Sequence, residues 1–362
     1  MYVSIKPKDG LVFNNGTSFK PEDNAWITSM QQPHPSTLYG ALFSLLYVHD
    51  QDVRDALNDI KKEDPQYDEK LEGCLKKYLT IKNIYLTDGK DIYIRVPQDV
   101  YCNGSEHVGY GKFVKDGNDM LLHPPKGDLK PVSSYDYYMT LGQFRTYARR
   151  DYLSSVTSWE ELWNYAPRMG IQLQQNKKQA EDGMLFRVDM LEKVCFDLAY
   201  LVEIDVKNTS KFPEEGILKL GGEAKTCYYE KIAKTPYAIT QYKGYEKETY
   251  AQHVKMMTTT PTVFCEKEKG ICYSTPKLKG FQIVGAAMDK PIMIGGYDMK
   301  KRMPKTIYHA VPAGAIYLMK GEKSMSLSNI RKMLQEELRE KVVDDYKGFG
   351  QFMLVPYTGE AL

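Results

Sequence analysis

Four cations lie within six residues of this 362-residue chain, and their density predicts a binding site for a polyanion. They are Lys300, Lys301, Arg302 and Lys305. The net charge of the whole chain is only +2, so the cluster is a local feature. His309 and the apolar segment 315–318 follow it. A basic loop anchored on a buried strand suits phosphates, because charge neutralisation drives binding while the strand directs the loop. The alternative is a solvated hairpin tip.

A predicted helix that begins near residue 35 offers a second site for phosphate. Apolar residues recur at helical spacing over 38–46, and Pro35 precedes them. We expect Ser36 or Thr37 to cap the helix, beside His34, and exposed amides at a helix start attract anions. Gly40 costs about 1 kcal/mol relative to alanine, so we expect a strand or a nucleotide to approach it closely. The alternative is a capped structural helix with a packing glycine.

Arg168 and Lys177 are candidates for the wall of a groove that follows a nucleic-acid backbone. Arg168 begins the segment RMGI, and Lys177 lies beside Lys178 in a glutamine-rich stretch. Arginine pairs with phosphate and also stacks on bases. The alternative for the lysines is a solvated loop.

Glycine-rich turns supply two further candidate contacts. Gly221 and Gly222, followed by Lys225, permit positive φ and leave backbone amides bare for phosphate or base. The loop 348–350, which is Gly348, Phe349 and Gly350, places an aromatic ring between glycines, where it is predicted to stack on a base. The alternatives are a linking turn and a helix C-cap.

Several classes of chemistry lack support in the sequence. The chain has no HExxH, no phosphate-binding glycine–lysine loop and no GxSxG segment, and its six histidines show no metal-ligand spacing. We therefore expect no metal, no cofactor and no catalytic residue. The six cysteines are scattered, as in a reduced intracellular protein. No apolar run reaches the roughly 18 residues of a membrane span, so we expect a cytoplasmic protein without membrane contact.

The order of predicted elements favours an α+β fold. A hairpin is predicted around Asp88 and Gly89, helices near 246–257 and 328–343, a long loop or insertion at 100–131, and a helical insertion at 141–165. Strands open and close both halves of the chain. This pattern predicts two ferredoxin-like (RRM-like, split βαβ) units with insertions, spanning 1–216 and 217–362.

Six segments together resemble a known family, the third subunit of the Cmr complex. This complex is the type III-B CRISPR effector, and the subunit is a RAMP (repeat-associated mysterious protein) protein. The segments are 35–42 (PSTLYGAL), 168–171 (RMGI), 181–186 (EDGMLF), 220–223 (LGGE), 295–298 (GGYD) and 311–317 (VPAGAIY). They occur in the order of the family and span nearly the whole chain. Phe43 stands where a basic residue is common in the family.

The resemblance implies a non-catalytic RNA-binding subunit that caps the 5′ tag of the CRISPR RNA. It implies docking to the large polymerase-cyclase subunit and to an adjacent RAMP backbone subunit, with target RNA contacted only indirectly. We expect the predicted helix start and the glycine-rich loop near the C-terminus to face one groove between two sheets.

Two alternatives remain open. The first is a RAMP endoribonuclease that matures CRISPR RNA, with His34 or His309 as general base. The second is the equivalent tag-binding subunit of a type III-A complex, against which the segment 311–317 argues.

Overall fold

The computed structural model describes residues 1–14, 26–61, 63–133, 135–173, 179–266, 271–298 and 303–359. Within these ranges the chain combines helices with a larger number of strands, and the predicted α+β class is confirmed. The helices are α1 (Pro35–His49), α2 (Gln51–Asn58), α3 (Tyr67–Tyr78), α4 (Leu141–Ala148), α5 (Trp159–Leu162), α6 (Tyr237–Glu248) and α7 (Leu327–Lys341).

The strands are short except in the sheet centres and in one long hairpin. In the first half they are β1 (Tyr2–Pro7), β2 (Trp26–Thr28), β3 (Leu79–Thr87), β4 (Ile92–Arg95), β5 (Val100–Asn103), β6 (Glu106–Tyr110), β7 (Lys112–Asp116), β8 (Asp119–His123), β9 (Lys130–Pro131), β10 (Tyr137–Thr140), β11 (Thr157–Ser158), β12 (Trp163–Leu173), β13 (Ala180–Lys193) and β14 (Ala199–Val206). In the second half they are β15 (Glu215–Lys219), β16 (Thr226–Ile232), β17 (Tyr250–Thr258), β18 (Phe264–Glu266), β19 (Ile271–Tyr273), β20 (Phe281–Ala287), β21 (Ile292–Ile294), β22 (Tyr297–Asp298), β23 (Met303–Pro304), β24 (Tyr308–Ala310), β25 (Ile316–Ser326) and β26 (Phe352–Pro356).

The first sheet has eight strands in the order β11-β10-β4-β3-β14-β1-β16-β15. All its neighbouring strands are antiparallel. Strands β1 and β3 are therefore parallel to each other with β14 between them, and helices α1 to α3 connect them. Residues 215–219 form an edge strand of this sheet, so the sheet extends beyond residue 216, the predicted boundary between the two units.

The second sheet has four antiparallel strands in the order β20-β25-β17-β26. Here β25 and β26 are parallel to each other with β17 between them, and helix α7 connects them. Each sheet therefore contains one helical crossover that skips a strand.

The two sheets share a core. One face of the first sheet contributes Tyr85 and Leu201, one face of the second contributes Ile316 and Met353, and helices α4 and α6 pack with both. Helices α1 to α3 cover the outer face of the first sheet, and α7 covers that of the second. Each sheet can pack on both of its faces because successive side chains of a strand point to opposite faces.

The segment 311–317 lies at the junction of these sheets. Ala315, Ile316 and Tyr317 are fully buried. Gly314 has a φ of +90°, and a Cβ there would lie 2.6 Å from the carbonyl oxygen of Val96. This segment therefore packs one sheet against the other.

A third, smaller sheet has the order β12-β13-β2. Strands β12 and β13 form a long antiparallel hairpin, and β2 pairs in parallel with β13.

Local signals predicted some elements and missed others. The hairpin around Asp88 and Gly89 is confirmed, since β3 pairs with β4. The helix at 328–343 is confirmed as α7. The helix predicted near 246–257 is wrong, because α6 ends at Glu248 and residues 250–258 form a strand that pairs on both sides. Residues 100–131 contain five short strands. Residues 141–165 contain two short helices, α4 and α5, together with β11 and the start of β12.

Candidate functional site

Two neighbouring cavities lie beside the start of helix α1, and together we call them the α1 groove. His34 and Met293 line one cavity, and Ser36 and Ile294 line the other. The first sheet contributes to the groove through β4, and the second half of the chain contributes through β21, β24 and the segment 343–349. The groove therefore lies where the two halves of the chain meet.

The polar cavity of the α1 groove has a volume of about 480 Å³. Ser36, Lys305, Lys347 and Phe349 line it, so residues distant in sequence meet there as expected. Its acidic residues are neutralised within the chain. Glu72 pairs with Lys76 at 2.7 Å, and Asp344 pairs with Lys347 at 2.8 Å. The exposed Lys305 makes no ion pair with a described residue, so its charge is available to an anion.

The apolar cavity has a volume of about 470 Å³. His34, Arg95, Tyr135, Tyr165 and Met293 contribute to its lining. Burial lowers the pKa of the His34 imidazole, so the ring is neutral at pH 7. Aromatic rings and aliphatic side chains beside a few polar groups are typical of a pocket for a small planar ligand.

Arg95 is a polar residue of this cavity that was not predicted from the sequence. It is only 2% exposed, and its Nη1 donates to the carbonyl of Tyr135 at 2.7 Å. The guanidinium carbon lies 4.0 Å from the centre of the Tyr138 ring. Among the described residues, Nη2 has no hydrogen-bond acceptor. An arginine that ends the apolar run Ile92-Tyr93-Ile94 was the available sequence signal.

The start of helix α1 differs in detail from the prediction. The N-cap is His34, and no side chain caps the helix, so the expected cap by Ser36 or Thr37 is wrong. Pro35 is the first residue of the helix, so Ser36 and Thr37 are its second and third residues. Gly40 is exposed, and no atom of the described chain lies within 4 Å of a Cβ built on it. The expected close approach to Gly40 by another strand is therefore wrong.

The glycine-rich loop 348–350 is packed against its own chain. Gly348 and Gly350 have φ values of +96° and +71°. Their amides donate to the carbonyls of Asp345 at 3.0 Å and Pro261 at 3.1 Å, so they are not bare. Phe349 is only 3% exposed and belongs to the core under α7. Phe349 borders the polar cavity, but its burial does not support the prediction that a base stacks on its ring.

Arg168 and Lys225 line a different cavity, of about 690 Å³, beside strands β12 and β13. Arg168 is exposed and pairs with Glu192 at 3.0 Å, and Lys225 pairs with Glu223 at 3.3 Å. Each of these two cations is therefore paired with a carboxylate.

The Gly221-Gly222 turn lies against Val12. Gly221 has a φ of +79°, as its type predicted, and a Cβ there would lie 2.5 Å from the Val12 carbonyl oxygen. The Gly222 amide donates to the same oxygen at 2.7 Å. The expectation of bare amides is wrong at Gly222, because the turn binds the chain's own backbone.

The remaining predicted residues fall partly outside the ranges given above. Lys177, Lys300, Lys301 and Arg302 lie outside the described residues. His309 lies exposed on β24, where it is paired with Met293. Opposite residues of an antiparallel pair share a face, so His309 lies on the same face of this strand pair as Met293.

Among the described residues, no group of three or more His, Cys, Asp or Glu side chains is placed so that it could hold a metal ion. No helix in the same ranges is long and apolar enough to cross a membrane.

The fold is that of known CRISPR-associated proteins. A chain in the cryo-EM structure of the type III-B Cmr-beta bound to cognate target RNA and AMPPnP, state 1, superposes with a TM-score of 0.57. It is 14% identical, and the match covers 98% of this chain and 96% of that one. A chain in the structure of Cmr-beta bound to cognate target RNA gives a TM-score of 0.56 at 15% identity, with the same coverage. No curated protein matches this chain significantly.

The particular family follows from the sequence profile. The model of the family "CRISPR-associated protein (Cas_Cmr3)" matches residues 3–356. The chain therefore belongs to the Cmr3 family, and the family resemblance of its six segments is confirmed.

Proposed function

We propose that this chain is a non-catalytic RNA-binding subunit of a type III-B CRISPR effector, and that it holds the 5′ tag of the CRISPR RNA in the α1 groove. The observation that carries the proposal is that Ser36 and Lys305 line one cavity and Arg95 lines the neighbouring one, both between the two halves of the chain. Family membership supplies the context.

The two cavities offer different contacts to a single-stranded tag. Lys305 and the amides at the start of α1 attract phosphates. The apolar cavity accepts an unstacked base between the tyrosines, with Arg95 and Gln31 as hydrogen-bonding groups. Single-stranded RNA gains sequence preference in this way, because unpaired bases expose their edges.

The two larger sheets fit two ferredoxin-like units. Strands β1, β3, β14 and β16 in the first sheet, and β17, β20, β25 and β26 in the second, follow the spatial order 2-3-1-4 within each set. This order, with its strand-skipping helical crossover, is that of the split βαβ fold. Each unit keeps one helical crossover: the first between its first two strands, the second between its last two. Short strands and turns replace the other crossover in each.

The proposed partners are the large polymerase-cyclase subunit, an adjacent RAMP backbone subunit and, indirectly, target RNA. The structural relatives come from Cmr-beta bound to target RNA, which supports this assignment. The match to the Cmr3 family favours type III-B over the type III-A alternative.

One observation favours the enzymatic alternative. His34 and Arg95 line the same cavity, and metal-free RNA cleavage needs a general base and a cation near the phosphate. Arg95, however, is held by Tyr135 and stacked on Tyr138, and no second histidine lines that cavity among the described residues. This arrangement suits recognition of a bound group better than proton transfer.

Photocrosslinking tests the proposed site. A CRISPR RNA with 4-thiouridine at single tag positions is bound to the protein, irradiated and digested for mass spectrometry. We expect crosslinked peptides from residues 30–36, 292–308 and 343–349. Crosslinks confined to the Arg168 cavity, or to neither surface, would overturn the assignment of the tag to the α1 groove.

A further inference from the structure

A row of exposed side chains crosses the third sheet outside the α1 groove, and one of them, Met169, also borders the cavity of Arg168. Met169, Arg187 and Trp26 are paired in register across β12, β13 and β2, so they lie on one face. Trp26 is 60% exposed and Met169 is 62% exposed. Large apolar side chains exposed together on one face indicate an interaction surface.

Trp26 is held rigidly despite its exposure. Its Nε1 donates to Oδ2 of Asp189 at 2.7 Å, and Nε of Arg187 donates to Oδ1 of the same carboxylate at 2.7 Å. Asp189 is buried, and the guanidinium carbon of Arg187 lies 4.3 Å from the Trp26 ring centre. The guanidinium therefore covers one face of the indole and fixes its orientation before anything binds, so little rotamer entropy is lost when a ligand binds to the other face.

The opposite face of the sheet fixes the position of this row. Val188 and Met190 are buried there against Val12, with Ile27 beside them. One face is thus anchored to the body of the protein, and on the other face Trp26 and Met169 are exposed.

We propose that Trp26 and Arg187 form a stacking platform for an unpaired base of the RNA, separate from the α1 groove. The indole nitrogen already has its acceptor, so the open surface of the ring offers stacking rather than hydrogen bonding. A nucleobase stacks on an indole regardless of its sequence, and Arg187 supports the ring from its other side. The charge of Arg187 is balanced by Asp189, so the preference for RNA over an apolar protein surface rests on Lys8 and Lys193, which line the cavity beside the same hairpin.

This inference deepens the proposed RNA-binding function and rests on it. It assigns a second contact on the hairpin β12–β13, whose other face carries Arg168 in a cavity with Lys8, Lys193 and Lys225. A strand of RNA that follows the hairpin meets cations on one face and a stacking surface on the other.

Intrinsic fluorescence tests the platform directly, since the chain has three tryptophans and the other two, Trp159 and Trp163, are buried. Titration with oligouridylate and oligoadenylate should quench the red-shifted emission of Trp26, and Trp26→Ala should abolish that quenching. Because stacking contributes about 1–3 kcal/mol per base, the variant should bind these RNAs about 5- to 150-fold more weakly. Tyr152→Ala, at an 81% exposed tyrosine, is the matched control and should bind normally.

The outcomes separate this inference from the proposed function. Normal RNA affinity of the Trp26→Ala variant would overturn the platform, as would quenching that persists in it, whereas loss of tag crosslinks from the α1 groove would overturn the groove. If Trp26→Ala instead releases another subunit in pull-downs while RNA affinity is unchanged, the row is a protein-docking surface and the inference is wrong.

Discussion

The ammonium group of Lys255 donates a hydrogen bond to the carboxylate of Asp99 across the boundary between the two larger sheets. Lys255 lies on β17 of the second sheet, and Asp99 follows β4 of the first. Their side chains are 3% and 0% exposed, and the Tyr147 hydroxyl also donates to Asp99 at 2.8 Å. Burial lowers the pKa of Lys255, although the charge of Asp99 opposes this. The pair fixes the relative position of the two sheets that border the α1 groove.

We predict that Lys255→Met destabilises the protein strongly. Removing one partner of a buried ion pair leaves an uncompensated charge and typically costs about 3–5 kcal/mol. The double variant Asp99→Asn/Lys255→Met should recover much of this stability, because no unpaired charge then remains. Urea unfolding measures both. Arg168→Met, which breaks the exposed pair of Arg168 with Glu192, is the control and should cost at most about 1 kcal/mol. Equal destabilisation by Arg168→Met and Lys255→Met would contradict the role assigned to Asp99.

The basic cluster should contribute to the salt dependence of RNA binding. We predict that replacing Lys300, Lys301, Arg302 and Lys305 by alanine weakens binding of the tag RNA. Removing one cation that neutralises a phosphate lowers the slope of log K against log salt by about 0.7 for a single strand. Filter binding at several salt concentrations measures the slope. Lys332→Ala, at an exposed lysine of α7, should leave it unchanged. An unaltered slope in the quadruple variant would indicate that the loop is a solvated hairpin tip.

We expect no intrinsic nuclease activity. His34→Ala and His309→Ala should leave the length of CRISPR RNA unaltered in cells, because no second histidine lines the cavity of His34 among the described residues. Denaturing gels of RNA from cells that carry each variant provide the measurement. Unprocessed precursor in either strain would favour the endoribonuclease alternative.

Local patterns predicted the elements that depend on local interactions. Pro35 followed by apolar residues at helical spacing predicted α1, and Asp88-Gly89 predicted the β3–β4 hairpin. Residues 250–258 were misassigned because their strand is stabilised by pairing with β25 and β26, which lie 58 residues or more further along the chain. Pairing of that kind leaves no local signal.

The candidate site was predictable only in part for the same reason. Ser36 and Lys305 were identified because charge and helix starts are visible in sequence. Phe349 lies in the core because it packs in one buried cluster with residues distant in sequence, such as Phe264 and Tyr317, and no local signal predicts this. Trp26 and Arg187 are 161 residues apart, and only the parallel pairing of β2 with β13 brings them together.

Glycine substitutions distinguish contacts with RNA from contacts within the chain. Gly350 has a φ of +71°, and a Cβ there would lie 2.8 Å from Cγ1 of Val342. Gly350→Ala should therefore lower the free energy of unfolding, and any decrease in tag binding should follow from misfolding. Gly40 is different, because it lies in the exposed surface of α1 with open space around it.

We predict that Gly40→Ala stabilises the protein and weakens tag binding at the same time. Alanine is favoured over glycine in a helix by about 1 kcal/mol, and no described atom of the chain opposes the added methyl group. If a nucleotide of the tag approaches the backbone at this position, the methyl group displaces it and the affinity falls even though stability rises. Urea unfolding and tag-RNA binding on the same preparation give the two readouts, with Gly73→Ala, another helical glycine with open space around it, as the control. Gly73→Ala should also stabilise the fold but leave RNA affinity unchanged. Higher stability of Gly40→Ala with unchanged tag affinity would show that the RNA does not reach this turn of α1.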